Sequence, residues 1–422
     1  MARLSNRSFS TIVVVLGLPV AVAPGQPAHD HDARDWSVGG TAQVIPLLTR
    51  ATPTASRRNL TEADLTQPIL SGHVTTLGGR LTGHAMLNLE GVTLARGELN
   101  TGTYGEGYVD RRHPHSYVHE LLVTARTDLS LGAQLVALSL TAGRGFAPFG
   151  SDDPMARPFV KYPVNHHLAQ VLERLVLVAA ARAGPLTVEG GVFNGDEPVN
   201  PHSVPHWSRF GDSWSARATV RPADGVEMAT SIARVESPEF REGLGLDQRK
   251  ASAVLRIERL EPRSGQSRYL LAEWARTHEY RRGRRVFTFT SFLVEGAYRR
   301  SRHWTAVRLE RTTRPEEERL IDPFRTPRPQ MEFAILGRTR WTAVTLAAGT
   351  NGPRTGVFTV APFVEGTYAR AAAVEALAAF VPRDFYGSDR LWLLAFGARV
   401  NVGRRMHRMG HYGAAQPALP SH

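Results

Sequence analysis

From Trp36 onward the chain alternates apolar and polar positions with period 2, the signature of half-buried β-strands. In Ser213–Arg221, Trp214, Ala216, Ala218 and Val220 share one face, while Ser215, Arg217, Thr219 and Arg221 share the other. Ala251, Ala253, Leu255 and Ile257 oppose Ser252, Val254, Arg256 and Glu258. Leu186, Val188, Gly190 and Val192 oppose Thr187 and Glu189, and Met331, Phe333 and Ile335 oppose Glu332, Arg338 and Arg340. Trp392, Leu394, Phe396, Ala398, Val400 and Val402 form the longest clean row, facing away from Leu393, Ala395, Gly397, Arg399 and Asn401. Gln170–Arg182, Val226–Val235 and Ser267–Thr277 mix their faces, and alanine-rich Ala371–Phe380 reads as a short helix. Strand candidates number roughly sixteen, at about 9 to 13 residues each, longer than soluble sheets favour.

The connections alternate as well. Ala183-Gly184-Pro185 and Pro222–Gly225 are tight turns by their Gly, Pro and Asp content. Between them lie long polar stretches at Thr93–Ser116, Gly143–His167, Asn194–Asp212, Pro238–Asp247 and Thr313–Pro329. Trp214, Trp304 and Trp392 near strand starts, and Trp341 near a strand end, suit interfacial girdles. The expected fold is all-β: a transmembrane antiparallel up-and-down barrel of roughly sixteen strands, with long external loops and short periplasmic turns.

The N-terminus supports export. Arg3 and Arg7 precede an apolar run from Ile12 to Ala23, too short to span a bilayer, and small residues at Ala23 and Ala28 offer cleavage sites. The chain divides into a signal peptide (1–28), a short mature N-terminus (29–35), a barrel (36–403) and a C-terminal tail (404–422). Cysteine is absent, which excludes disulfides, thiolate metal sites and thiol nucleophiles. No later apolar run is long enough for a transmembrane helix, so a membrane crossing requires a closed sheet.

The formal charge is +12, carried almost wholly by arginine, with lysine only at Lys161 and Lys250. In a barrel too wide for side chains to fill, the polar face lines a water channel. Arg217, Arg221, Arg256, Arg338, Arg340 and Arg399 fall on that face and would favour small anionic solutes. Alternatively they pair with Glu189, Glu258, Glu310 and Glu332, leaving a weakly selective pore.

Alternation stops between Gly143 and His167, a stretch with four prolines, Asp152, Asp153, Arg157 and Lys161. A stiff loop of that length reads as functional. Arg157 and Lys161 are expected to project into the lumen as a constriction, their field tempered by Asp152 and Asp153.

Gly145-Phe-Ala-Pro-Phe-Gly150, Glu173-Arg174 and Gly191-Val-Phe-Asn-Gly195 resemble elements of the phosphate-selective porin (O and P type) superfamily. The resemblance implies a sixteen-stranded outer-membrane porin, often trimeric, that passes anions and has outer-membrane lipids and small anionic solutes as partners. The family's lysine-rich ladder is not carried over to a chain with two lysines. The alternative function is a barrel plugged by its loops, serving as a binding, adhesion or structural protein.

Other chemistry is sparse. No Gly-x-Ser-x-Gly, Walker loop or His-Glu-x-x-His motif is present, so neither an enzyme nor a cofactor is expected. His113, His115 and His119 could share a strand face as metal ligands or be solvated loop histidines; no metal site is assigned. Tyr280–Arg285, rich in arginine between two strands, suits lipid headgroup phosphates rather than nucleic acid.

Overall fold

The computed structural model describes residues 36–416 apart from 53–58, 94–115, 199–200, 241, 262–263, 318–334, 353–354, 377 and 404–407. Sixteen strands run in chain order. The first eight are β1 (Ser37–Thr52), β2 (Leu60–Thr76), β3 (Leu81–Asn88), β4 (Val118–Leu131), β5 (Gln134–Gly145), β6 (Arg174–Ala183), β7 (Leu186–Phe193) and β8 (Ser213–Ala223). The second eight are β9 (Val226–Val235), β10 (Asp247–Glu261), β11 (Gln266–Arg281), β12 (Arg284–Arg300), β13 (His303–Glu317), β14 (Ile335–Thr350), β15 (Phe358–Ala373) and β16 (Arg390–Gly403). Each pairs antiparallel with its chain neighbour, and β1 pairs with β16 from Thr41↔Gly403 to Thr52↔Trp392, so the sheet closes. Closure satisfies every interior strand edge, which a sheet in hydrocarbon requires.

Two-residue turns at 132–133, 184–185, 224–225 and 301–302 mark one end of the barrel, and the long connections mark the other, which also carries the two-residue turn at 282–283. Outward rows carry exposed apolar side chains, among them Leu121, Val188, Met228, Phe292, Leu309 and Phe396. Inward rows are polar or charged and largely buried: Ser215, Arg217 and Thr219 on β8 face Glu189 and Thr187 on β7. Among the described residues no helix is long and apolar enough to cross a membrane.

Three expectations differ from the observed structure. The alanine-rich segment continues β15 to Ala373 rather than forming a helix, because its alternate residues Ala369 and Ala371 pack on the inner wall beside Trp341 and Leu391. Trp341 and Trp304 face inward, not into a girdle: Trp341 is 1% exposed, and Trp304 packs against the clusters around Val160 and Phe159. Arg340 is exposed on the outward row of β14, and Arg338 shares its phase. The cause is a bulge where β13 and β14 slip register between Glu316 and Glu317, opposite Gly337 and Ile335. One inserted residue exchanges the two faces of a strand, so the phase of Met331–Ile335 does not carry through to Arg340.

Candidate functional site

The interior is occupied by two segments that leave the barrel wall and fold back inside it. The first is the connection between β5 and β6, residues 146–173. Phe146, Ala147, Phe149, Phe159, Val160, Tyr162 and Val164 are all buried. Gly150 is required at its position: φ is 73°, and a Cβ there would lie 1.6 Å from the Ala169 carbonyl oxygen. Phe149 packs with Phe193, and a Cβ on Gly191 would meet Pro148 at 3.0 Å. The Phe-Ala-Pro-Phe-Gly and Gly-Val-Phe-Asn-Gly elements are therefore the two halves of one joint between loop and wall. Asn194 completes it by accepting the Leu175 N–H at 2.6 Å.

Beyond this joint, glutamates of the wall grip the loop. Glu365 on β15 accepts the N–H groups of Val160 and Lys161, both at 2.9 Å. Glu310 on β13 accepts Val164 N–H at 2.6 Å, and Glu273 on β11 accepts the Asn165 side-chain amide at 2.5 Å. Arg308 ties Glu295 (2.7 Å) to the Lys161 carbonyl (2.8 Å) and lies 4.3 Å over the Phe159 ring. Backbone N–H groups of a loop have no ladder of their own, and buried ones need such partners.

The expected constriction residues lie inside, wholly buried. Arg157 donates to Ser151 Oγ (2.6 Å) and the Asp152 carbonyl (2.8 Å), and sits 3.5 Å from Glu273. Lys161 Nζ donates to the Tyr162 carbonyl at 2.9 Å, and burial pushes its pKa below the usual lysine range. Asp153 caps the short turn at Pro154–Ala156 by accepting Met155 N–H at 2.8 Å. Asp152 is contacted by Arg256 and accepts from Arg408 at 2.6 Å.

The second internal segment is the C-terminal tail. Residues Met409–Tyr412, Ala414 and Ala415 are buried. Arg408 bridges Asp152 of the loop and Glu227 of β9, the latter at 2.8 Å. Tyr412 donates to Glu120 at 2.8 Å while accepting Phe146 N–H at 2.8 Å, so one hydroxyl joins tail, wall and loop. Ala414 and Ala415 pack on Ala137 and Ala180 near the turn end. Periodicity gives no sign of this segment, because among its described residues, 408–416, the one regular element is the single turn Gly413–Ala415.

The strand arginines are paired. Arg217 makes a two-point contact with Glu189 at 2.6 and 2.8 Å and also donates to the Gly410 carbonyl. Arg256 contacts Glu258 at 2.6 Å in addition to Asp152. Arg221 holds Glu227 at 3.1 Å and the Ala415 carbonyl at 3.3 Å. Arg399 points at the Arg157 carbonyl, 3.4 Å away. Arg338 bonds Glu375 at 2.5 Å at the long-loop rim. Of the expected acidic partners Glu310 serves the loop backbone instead, and Glu332 lies outside the described residues. His113 and His115 also lie outside them, and His119 is bonded to Glu173 at 2.6 Å. No cluster able to hold a metal ion occurs among the described residues.

No family model matches the chain, and no curated protein matches it. Similar solved structures include a loop L8 deletion mutant of OmpT, an outer membrane protein of Vibrio cholerae, at 10% identity and TM-score 0.49, covering 87% of this chain and 99% of that one. An anion-selective porin from Comamonas acidovorans is similar at 10% identity and TM-score 0.48, with 87% and 99% covered. OpdO from Pseudomonas aeruginosa follows at 12% identity and TM-score 0.37, with 86% and 97% covered. At these values the likeness carries no functional argument; the fold rests on the strand topology.

Proposed function

We propose that the protein is an outer-membrane channel for passive diffusion of small solutes, with its path narrowed by the internal loop and the C-terminal tail. The observation that carries this reading is the pairing of a closed sixteen-strand wall, apolar outside, with an ionised interior. Sixteen strands enclose more room than their own side chains fill. A preference for anions would need unpaired guanidinium groups along the path. Arg217 and Arg256 instead sit on carboxylates, and among the described residues buried carboxylates outnumber buried arginines and lysines. Weak selectivity is therefore the reading the geometry favours, and anion preference is the finer proposal that the resemblance supports.

A second reading, a plugged barrel with a binding or structural role, is favoured by one specific feature: the tail inside the lumen. Planar-bilayer recording separates them. Discrete conductance steps support the channel, and a reversal potential near zero in a salt gradient supports weak selectivity. A shift toward the anion potential would restore the anion preference. Heat-modifiable, membrane-inserted protein with no steps at any voltage would favour the plug. Association as a trimer is a further proposal; the outward faces of β3 to β8, which carry no exposed charge and are rich in small residues such as Ala85, Ala142, Ala179 and Ala216, would suit contact between copies.

A further inference from the structure

The outer wall of β9 to β16 carries exposed charge on its strand rows, and most of it is arginine. On β9 and β10, Arg234 and Arg249 are directly opposite each other across the strand pair, both exposed. On β15 and β16, Arg370 and Arg390 are directly opposite in the same way, and both are exposed. Like charges in this position repel, so a counter-charge nearby stabilises such a pair. Protein supplies part of it: Glu236 lies 3.4 Å from Arg234 and Asp389 lies 2.9 Å from Arg370. Arg249 packs on the Tyr280 ring at 4.6 Å, and Arg390 shares the charge of its neighbour Asp389, which is bonded to Arg370.

The intervening strands continue the row. Arg276 on β11 is the diagonal neighbour of Arg249, because Arg249 pairs with His278 two residues away. Arg311 on β13 is the diagonal neighbour of Arg340 on β14, since Arg311 pairs with Thr342. Diagonal neighbours stand roughly 7–8 Å apart, within reach of two long side chains converging on one group. All three are exposed. The arginines begin where the apolar rows end: Arg234 follows exposed Ile232, and Arg390 precedes exposed Trp392 and Leu394. That is headgroup depth in a bilayer. On β3 to β8 the corresponding outward positions carry no exposed charge, as at Leu87, Leu121, Val192 and Trp214, and Arg144, which pairs with Leu121, is half-buried and bonded to Ser116 and Ser203. A further exposed pair, Arg259 and Arg268, lies at the turn end of β10 and β11.

We propose that the cross-strand arginine pairs at the long-loop rim of β9 to β16 clasp phosphate groups of the surrounding membrane lipids, one phosphate shared between two guanidinium groups. Guanidinium presents a planar fork that matches phosphate oxygens, and a phosphate monoester supplies the negative charge the pairs lack. The proposal rests on the membrane-barrel reading but not on conduction.

The test compares the full chain with a double variant, Arg249→Gln and Arg390→Gln, each change removing one member of a pair. Both proteins are reconstituted in vesicles of phosphatidylcholine containing phosphatidic acid, and retained lipid is measured by native mass spectrometry after extraction. The wild-type chain is expected to retain phosphatidic acid in preference to phosphatidylcholine. The double variant is expected to retain it about fivefold less or lower still. Raising salt should weaken the preference of the wild type. Equal retention by the two proteins, or no preference in the wild type, would overturn the proposal. Heat-modifiable gel mobility is recorded for both. Failure of the wild type to insert at all would refute the membrane-barrel reading, and this proposal with it, an outcome distinct from inserted protein that lacks the preference.

Discussion

Arg308 and Arg311 stand three residues apart on β13 and have opposite fates. Arg308 is 0% exposed, bonded to Glu295, to the Lys161 carbonyl and to the Phe159 ring. Arg311 faces outward beside Phe292 and Thr342, with no carboxylate partner among the described residues. The same side chain therefore fixes the internal loop in one case and waits on the environment in the other. An arginine-rich chain cannot be read from its net charge alone: inside, the charges are taken up by carboxylates, carbonyls and backbone amides of the protein, and outside they set how the wall meets its surroundings.

The largest effect should come from breaking the inner half of this comparison. Arg308→Leu leaves buried Glu295 with Arg157 at 4.0 Å and the Tyr269 hydroxyl, and loss of one partner of a buried ion pair costs about 3–5 kcal/mol. Urea unfolding of the folded barrel should show it, together with freer proteolysis of the loop. Arg308→Leu unfolding at the wild-type midpoint would mean that the pair does not hold the loop. Next is Gly150→Ala, which forces a side chain against Ala169 at positive φ and should cost more than about 1 kcal/mol. Its mark is a loop that becomes protease-sensitive while strand content by circular dichroism is unchanged.

A third prediction concerns pH and the tail. His411 is buried against Arg217, Arg221, Arg408, Glu227 and Asp152. Burial first, and then the neighbouring arginines, push its pKa well below the ordinary value. A tail withdrawn from the lumen recovers that ordinary value, about 6.5. The docked tail therefore binds fewer protons than the withdrawn one, so docking is at full strength above about pH 6.5 and weakens as pH falls, by up to about tenfold per pH unit. Trypsin cleavage at the arginines of 404–408 should speed up on acidification, and a rate independent of pH would remove His411 from the account. The smallest effect belongs to the outer half: Arg311→Gln should move stability by no more than about 0.5 kcal/mol. A loss as large as that of Arg308→Leu would erase the distinction between the two faces.

Much of the wall was legible in sequence because a half-buried strand writes its two environments in alternate residues. Trp392–Val402 and Ser213–Arg221 carry that record without interruption. Reading failed where a residue count slipped, as at the bulge before Arg338, since the alternation itself gives no notice of an inserted residue. It also failed for Trp341, whose inward place depends on Val164 of a loop far away in sequence. The loop's importance was visible in its prolines and charges, but its anchors were not. Glu310 suggested a partner among the arginines and Glu273 and Glu365 drew no notice, while the groups these three acids hold belong to the loop: backbone amides, the Asn165 side chain, Ser151 and Arg157. The tail left no pattern, because its place is set by single contacts such as those of Arg408 and Tyr412.

In the proposed channel the lumen is narrowed by a tail docked on the loop and inner wall. Single-channel recording of the full chain beside a chain ending at Gly403 tests it most directly, with heat-modifiable mobility confirming that both are folded. The shortened chain is expected to show a larger conductance, or openings that begin only on truncation. Equal conductance from two folded barrels would contradict it.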